Sequence, residues 1–156
     1  MRIYLMQHGE AVGEDIDVSR PLSEKGNADV LKTANFLKKA GIKINIIWYS
    51  TKLRAKQTAQ IMADVISPED GILEKPGLAP NDPAAIIKEE ILAEKQEYLM
   101  VVSHLPFLNY LASLFLFRSR ASCPLVFRQG GVVCLEPEEH DSCSICWMII
   151  PDLIGG

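Results

Sequence analysis

The sequence predicts an α/β fold in three layers, with a mostly parallel central sheet and a C-terminal hairpin. Short apolar segments rich in β-branched residues alternate with longer segments whose apolar residues recur at helical spacing. Residues 98–102 are apolar without polar alternation, as in strands buried on both faces of a parallel sheet. Two strand-like segments then close the chain around a turn from Pro137 to Asp141.

The first half of the chain predicts two strand–helix units. A strand over 2–6 leads through a polar loop, 9–22, into a helix that Ser23 caps and that runs to about Ala40. Gly41 follows this helix as a C-cap glycine. A strand over 44–49 precedes a second helix, about 52–66, for which we expect Ser50 and Thr51 to form the cap and Pro68 the stop.

The second half predicts the remaining elements. A short strand near 72–74 and a loop over 80–83 precede a helix over about 84–95. The buried strand 98–102 ends at Ser103-His104, and a helix opens at Pro106, since proline suits a first helical turn. Residues 118–130 read as irregular. The hairpin strands are predicted over 131–136 and 142–149.

Length and composition favour one globular domain over residues 1–156 and exclude several function classes. The net charge of −4 argues against general nucleic-acid binding, which normally needs a basic face. The longest apolar run, 107–117, is too short to span a bilayer, and the N-terminus does not resemble a signal peptide. We therefore expect a cytoplasmic protein without nucleic-acid or membrane partners.

All four cysteines lie in the last third of the chain, at positions 123, 134, 143 and 146. Cys143-Ser144-Ile145-Cys146 has C-x-x-C spacing, so a zinc or redox site is one interpretation. A spacing of three within a strand instead places the two sulfurs on opposite faces. We therefore predict no metal site.

Three predicted strand ends carry polar side chains suited to phosphate chemistry. The first strand delivers His8, the second leads into Arg54, and the strand over 98–102 delivers His104. Parallel strands end at one edge of a sheet, where open α/β folds bind ligands, so these side chains are expected to converge. Arginine offers a permanent charge and a planar donor fork to phosphate oxygens, and a neutral imidazole can form a covalent phosphohistidine. A second imidazole can stabilise the charge of the transferring group.

These residues stand in four motifs through which the chain resembles the histidine phosphatase superfamily, specifically its short SixA-type phosphohistidine phosphatases. The family motifs are an Arg-His-Gly opening, an Arg-Pro-Leu-Ser/Thr-x-x-Gly segment, a Ser-x-x-x-Arg-Ala-x-Gln-Thr stretch and a Val-Ser-His-x-Pro element. They correspond, in this order, to Gln7-His8-Gly9, residues 20–26, residues 50–58 and residues 102–106.

The resemblance implies a fold like that of the phosphoglycerate mutases and a role for each matched residue. His8 would be the nucleophile, Arg54 would bind the phosphoryl oxygens, and His104 would stabilise the transferring group. The family uses no metal or organic cofactor, and the implied partner is a phosphohistidine-bearing protein such as a histidine phosphotransfer domain. SixA-type members lack the general acid of larger relatives; Glu10 and Asp82 are the nearest acid candidates here.

Gln7 is the departure from the family, because it stands where the motif has arginine. Its amide can still donate to phosphate but carries no charge. We expect reduced phosphatase activity, partly restored if Arg20, or an arginine at position 118, 120 or 128, compensates. Arg20 could instead pair with Asp15 or Asp17 on the surface.

Two other functions remain open on the sequence. Loss of the arginine could leave a weak or inactive module that binds a phosphorylated protein, and a small-molecule phosphomonoesterase is the third possibility. Lys52 and Lys56 are interpreted as a solvated helix face, and His140 in the hairpin turn is given no role.

Overall fold

The computed structural model describes residues 1–117 and 124–155 and contains a six-stranded sheet. The strands are β1 (Arg2–Gln7), β2 (Ile46–Tyr49), β3 (Ile72–Glu74), β4 (Tyr98–Ser103), β5 (Val132–Pro137) and β6 (Cys143–Ile149). Their order is β3-β2-β4-β1-β5-β6; the first four of this order are parallel, β5 pairs antiparallel with β1, and β6 pairs antiparallel with β5. This confirms the predicted α/β class with a C-terminal hairpin.

Helices cover both faces of the sheet. They are α1 (Glu24–Lys39), α2 (Leu53–Ile66), α3 (Ala84–Ala93) and α4 (Phe107–Phe117). Alternate residues of β1 point to opposite faces and join two separate cores. Ile3 and Leu5 pack in the core beneath α3 and α4, whereas Tyr4 and Met6 pack in the core beneath α1 and α2. The central strands are buried on both faces, which explains their unbroken apolar sequence.

The ends of α1 follow the prediction. Ser23 is the N-cap, and its hydroxyl accepts a hydrogen bond of 3.0 Å from the backbone N–H of Gly26. Gly41 follows the C-cap with a φ of +75°, a conformation that glycine adopts without steric cost.

Two predicted helix starts were wrong. The cap of α2 is Lys52, which makes no side-chain cap hydrogen bond. The buried Ser50 hydroxyl lies 2.8 Å from Nε2 of His104 and accepts only a long hydrogen bond, 3.5 Å, from Lys52 N. The last helix begins at Phe107, and Pro106 lies just outside it. Strand β2 is also two residues shorter at its start than predicted.

The hairpin places Cys143 in the core and leaves Cys146 exposed, as the odd spacing predicted. Among residues 1–117 and 124–155, no group of three or more His, Cys, Asp or Glu side chains could hold a metal ion. No helix of the described ranges is both long and apolar enough to cross a bilayer. Cys123, Arg118 and Arg120 lie outside the described residues.

Gly26 allows α1 to pack directly on the loop that follows β1. A Cβ at this position would lie 2.0 Å from the Glu10 carbonyl oxygen, which is backbone and has no rotamer to change. The same carbonyl accepts a hydrogen bond of 2.9 Å from Ser23 N. The start of α1 is therefore held against Glu10, which follows His8 by two residues in the chain.

We predict that Gly26→Ala destabilises the protein by about 2 kcal/mol or more, because overpacking outweighs the roughly 1 kcal/mol that alanine gains over glycine within a helix. Urea unfolding measures the change in the free energy of unfolding. Asn35→Ala, at an exposed position of α1, is the matched control and should be neutral or slightly stabilising. A Gly26→Ala variant as stable as the natural protein would contradict the packing described.

Candidate active site

The carboxyl ends of three adjacent strands, β2, β4 and β1, form one edge of the sheet. His8 follows β1, Ser50 follows β2, and His104 follows β4. Backbone hydrogen bonds continue past the strand ends, from His8 N to the Ser103 carbonyl at 3.0 Å and from Ser50 N to the Val102 carbonyl at 3.1 Å. The sheet itself therefore sets the spacing of these three residues.

His8 is buried and contacts a different kind of group through each ring nitrogen. Its Nδ1 lies 2.7 Å from the Gly9 carbonyl oxygen, and its Nε2 lies 3.4 Å from Nε of Arg54. A carbonyl only accepts hydrogen bonds and a guanidinium only donates them. Both contacts therefore require the tautomer with the proton on Nδ1, which leaves the lone pair of Nε2 on the side of Arg54.

His104 is buried beside His8, with 4.9 Å between the ring centroids and 59° between the ring planes. Its Nε2 lies 2.8 Å from the Ser50 hydroxyl. Its Nδ1 is buried and has no hydrogen-bond partner within the described residues. A buried polar atom without a partner is costly, and here it belongs to one of the two imidazoles at the strand ends.

Arg54 lies in the first turn of α2 and is tied to the His8 loop through Thr58. The Thr58 hydroxyl donates to the Arg54 carbonyl at 2.8 Å and accepts from Gly9 N at 3.1 Å. One buried hydroxyl thus connects the backbone that carries the guanidinium to the backbone next to the imidazole. Ser50 and Thr58 belong to the third motif, but their contacts join residues far apart in the chain and were not predicted.

Burial keeps both imidazoles neutral. Burial lowers the pKa of His8 from 6.5 to about 4; the Gly9 hydrogen bond opposes this in part, and the charges of Arg54 and Arg20 add smaller lowering effects. Burial also lowers the pKa of His104 to about 3, and the charges near it act in the same direction. A neutral imidazole at neutral pH keeps the lone pair that a nucleophile needs.

Arg20 contributes positive charge to this edge of the sheet. Its Nε donates to the Val12 carbonyl at 3.1 Å, and its backbone has a φ of +49°. Its charge lowers the pKa of His8, of His104 and of Arg54. The alternative prediction, a surface ion pair of Arg20 with Asp15 or Asp17, is wrong: the ion pairs of the described residues do not include it. Asp17 instead accepts hydrogen bonds from Ser19.

Lys52 is exposed, as its interpretation as part of a solvated face predicted. Its charge also lowers the pKa of His104. Lys52, Arg20 and Arg54 together make the surroundings of the two histidines electropositive, which suits an anionic ligand.

Gln7 is the last residue of β1 and is buried, with 8% of its surface exposed. Its backbone carbonyl accepts a hydrogen bond of 3.0 Å from Gly130 N. Arg128, two residues before Gly130, is exposed, and among the described residues the arginines whose charge lowers the pKa of His8 are Arg54 and Arg20. Gln7 is thus a neutral residue next to His8, at the position where the family's opening motif has arginine.

The two acid candidates have local structural contacts. The Glu10 carboxylate accepts a hydrogen bond of 2.6 Å from the Ser23 hydroxyl, and the Asp82 carboxylate accepts one of 2.9 Å from Ala79 N. The carboxylate whose charge acts on the site is Glu14, which raises the pKa of Arg54. Glu14 lies in the polar loop before Arg20 and was not singled out from the sequence.

The chain is similar in sequence to proteins of a known family. Residues 3–79 match the histidine phosphatase superfamily (branch 1). The chain is 25% identical over 155 residues to the phosphohistidine phosphatase SixA of Escherichia coli strain K12, covering 97% of this chain and 94% of that protein.

The fold is also similar to those of solved phosphatase structures. The protein histidine phosphatase SixA complexed with tungstate superposes with a TM-score of 0.88 at 25% identity, covering 97% of this chain and 98% of that one. The alpha-ribazole phosphatase from Shigella flexneri shares the fold, with a TM-score of 0.70 at 14% identity over 93% of this chain and 94% of that one. Together, these similarities support the histidine phosphatase superfamily for this chain, with a likeness to its SixA-type phosphatases.

Proposed function

We propose that this chain is a phosphohistidine phosphatase, a single domain over residues 1–156 that dephosphorylates a phosphohistidine-bearing protein through a covalent phosphoryl-His8 intermediate. One observation carries the proposal: His8 lies between a carbonyl acceptor at Nδ1 and a guanidinium donor at Nε2. Similarity to SixA of Escherichia coli, a phosphohistidine phosphatase, supports the choice of substrate.

In the first step the Nε2 lone pair of His8 attacks phosphorus, and the P–N bond of the substrate breaks. The leaving imidazole takes up a proton from solvent, so no carboxylic acid is needed. The Gly9 carbonyl stabilises the positive charge that develops on the His8 ring, because it accepts a hydrogen bond from Nδ1–H. In the second step water attacks phosphorus, releases phosphate and restores neutral His8.

Arg54 and His104 are proposed to bind the phosphoryl oxygens during both steps. Arg54 Nε lies close to the attacking nitrogen, at 3.4 Å, and a planar guanidinium suits two oxygens of one phosphoryl group. The Ser50 hydroxyl at Nε2 of His104 favours a proton on Nδ1, the nitrogen without a partner. A phosphoryl oxygen is an acceptor that would satisfy this donor.

Arg20 is proposed to supply the charge that Gln7 lacks. Its guanidinium acts electrostatically on His8, His104 and Arg54, and its hydrogen bond to the Val12 carbonyl restrains it near them. Gln7 would contribute a neutral donor only. Hydrogen bonds to charged groups contribute roughly 1.5–3 kcal/mol, which is about ten- to a hundredfold in rate.

We predict that the protein hydrolyses a phosphohistidine peptide and that His8→Ala lowers kcat/KM by at least about a thousandfold, because the covalent route is lost. Release of phosphate from the peptide measures the rate. The control His140→Ala, in the exposed hairpin turn, should retain full activity. Binding of the peptide by the natural protein without hydrolysis would contradict the proposal and support the binding module.

The compensation by Arg20 is tested with a double-mutant cycle. We predict that Arg20→Ala lowers kcat/KM by about tenfold or more, as expected when a charged phosphate contact is lost. Gln7→Arg should raise kcat/KM by about tenfold in the Arg20→Ala background and by a much smaller factor in the natural protein. Lys56→Ala is the control for a charge on the exposed face of α2.

Equal gains from Gln7→Arg in both backgrounds would show that Arg20 does not replace the missing charge. An unchanged rate in Arg20→Ala alone would exclude it from phosphate binding. Thermal unfolding of each variant separates loss of catalysis from loss of the fold.

The lowered pKa values predict neutral histidines well below pH 6.5. At pH 5.5, ¹⁵N NMR should show His8 uncharged with its proton on Nδ1, since its pKa is about 4. The unfolded chain binds protons on these rings below pH 6.5, whereas the folded protein does not. The free energy of unfolding is therefore highest above pH 6.5 with respect to these two groups and falls as the pH drops, down to about 4 for His8 and about 3 for His104.

Unfolding of the natural protein and of His8→Gln across pH 7 to 4 measures this contribution. The stability of the variant relative to the natural protein should increase as the pH falls through this range. A His8 signal that titrates near 6.5, or one with its proton on Nε2, would contradict the described environment.

A further inference from the structure

A loop over residues 13–19 extends from the rim of the candidate active site. Its base is closed by an antiparallel bridge between Ala11 and Leu22 and by a hydrogen bond of 2.9 Å from Val12 N to the Pro21 carbonyl. Leu22 N also donates at 2.7 Å to the Gln57 side chain, which lies on α2, the helix that carries Arg54. The loop is thus anchored to both the His8 strand end and the Arg54 helix.

The tip of this loop holds two β-branched apolar side chains in water. Ile16 is 75% exposed and Val18 is 86% exposed. The backbone is fixed by turn hydrogen bonds of 3.1 Å from Ile16 N and Asp17 N to the Gly13 carbonyl, and one of 3.0 Å from Arg20 N to the Asp17 carbonyl. Ile16 and Val18 are thus exposed apolar side chains on an internally bonded loop next to the site, where a bound partner could bury them.

The same loop is acidic. Glu14, Asp15 and Asp17 are exposed, and the ion pairs of the described residues, Lys25–Asp29 and Lys75–Glu90, do not involve them. Within the described residues no ion pair neutralises their charges, and Asp17 accepts hydrogen bonds only from Ser19. An acidic surface with apolar residues between the charges is complementary to a surface of basic and apolar residues.

We propose that loop 13–19 is the docking surface for the protein substrate, and that this substrate carries basic and apolar residues around its phosphohistidine. The inference rests on the proposed function and adds the chemistry of the partner. A small phosphorylated molecule held by the charges around His8 gains nothing from apolar side chains on an outer loop. Only a substrate that extends beyond the phosphoryl group buries Ile16 and Val18.

The test compares two phosphohistidine peptides and one small donor. One peptide has lysine and leucine on both sides of the phosphohistidine, the other has glutamate and serine, and phosphoramidate serves as the small P–N donor. For the natural protein, kcat/KM for the basic–apolar peptide should exceed that for the other peptide by about tenfold or more. Ile16, Val18 and the acidic side chains of the loop should contribute to binding of the first peptide only.

The Ile16→Ser/Val18→Ser double variant should lose most of this preference through a higher KM for the basic–apolar peptide. Asp15→Lys should lower the preference, because a positive charge on the loop repels the lysines of that peptide. Both variants should hydrolyse phosphoramidate at the natural rate, because the loop tip does not touch the reacting atoms. Phe36→Gln, an exposed apolar residue in the last turns of α1, is the matched control and should change nothing.

Each outcome is decisive. If the natural protein hydrolyses phosphoramidate but treats the two peptides alike, or if the loop variants keep the preference, the docking surface is wrong and the proposed function stands. If neither peptides nor phosphoramidate are hydrolysed, the proposed function fails and the docking inference fails with it.

Discussion

The hydrogen bond between His8 Nδ1 and the Gly9 carbonyl is the interaction on which the account of the site depends. It fixes the ring orientation and the tautomer together, so that the free lone pair is on Nε2 beside Arg54. Burial then keeps the ring neutral by lowering its pKa to about 4. Without that carbonyl contact, the same histidine would be a buried imidazole with no defined reactive nitrogen.

The rest of the fold holds this contact in place. Gly9 N is bonded to Thr58, whose hydroxyl also holds the first turn of α2, and Gly26 lets α1 approach the Glu10 carbonyl. Glycine at both positions 9 and 26 permits this close approach, since a Cβ on either would meet neighbouring atoms at 3.0 Å or less. The site is therefore a consequence of two helices packing directly on the end of β1.

Much of this arrangement was predictable from the sequence, because it follows from regular structure. Parallel strands end at one edge, so the convergence of His8, Arg54 and His104 needed only the strand assignments. The four motifs and the comparisons then agree on the family. Ser23 and Gly41 were predictable as caps because their side-chain chemistry acts on adjacent backbone.

The remaining features depend on contacts between distant parts of the chain. Ser50 resembles a helix cap by sequence, but the 2.8 Å contact with His104, 54 residues away, gives it another partner. Arg20 could not be assigned between a surface pair and the site, because that choice depends on the path of loop 13–19. Glu14 gave no signal for the same reason.

The most direct measurement of the central claim identifies the nitrogen of His8 that becomes phosphorylated. The protein is treated with phosphoramidate, quenched in base to preserve the P–N bond, and digested, and NMR of the His8 peptide distinguishes the two phosphohistidine isomers. We expect the phosphoryl group on Nε2, because Nδ1 is engaged by the Gly9 carbonyl. A phosphoryl group on Nδ1, or phosphate bound without any covalent adduct, would contradict it.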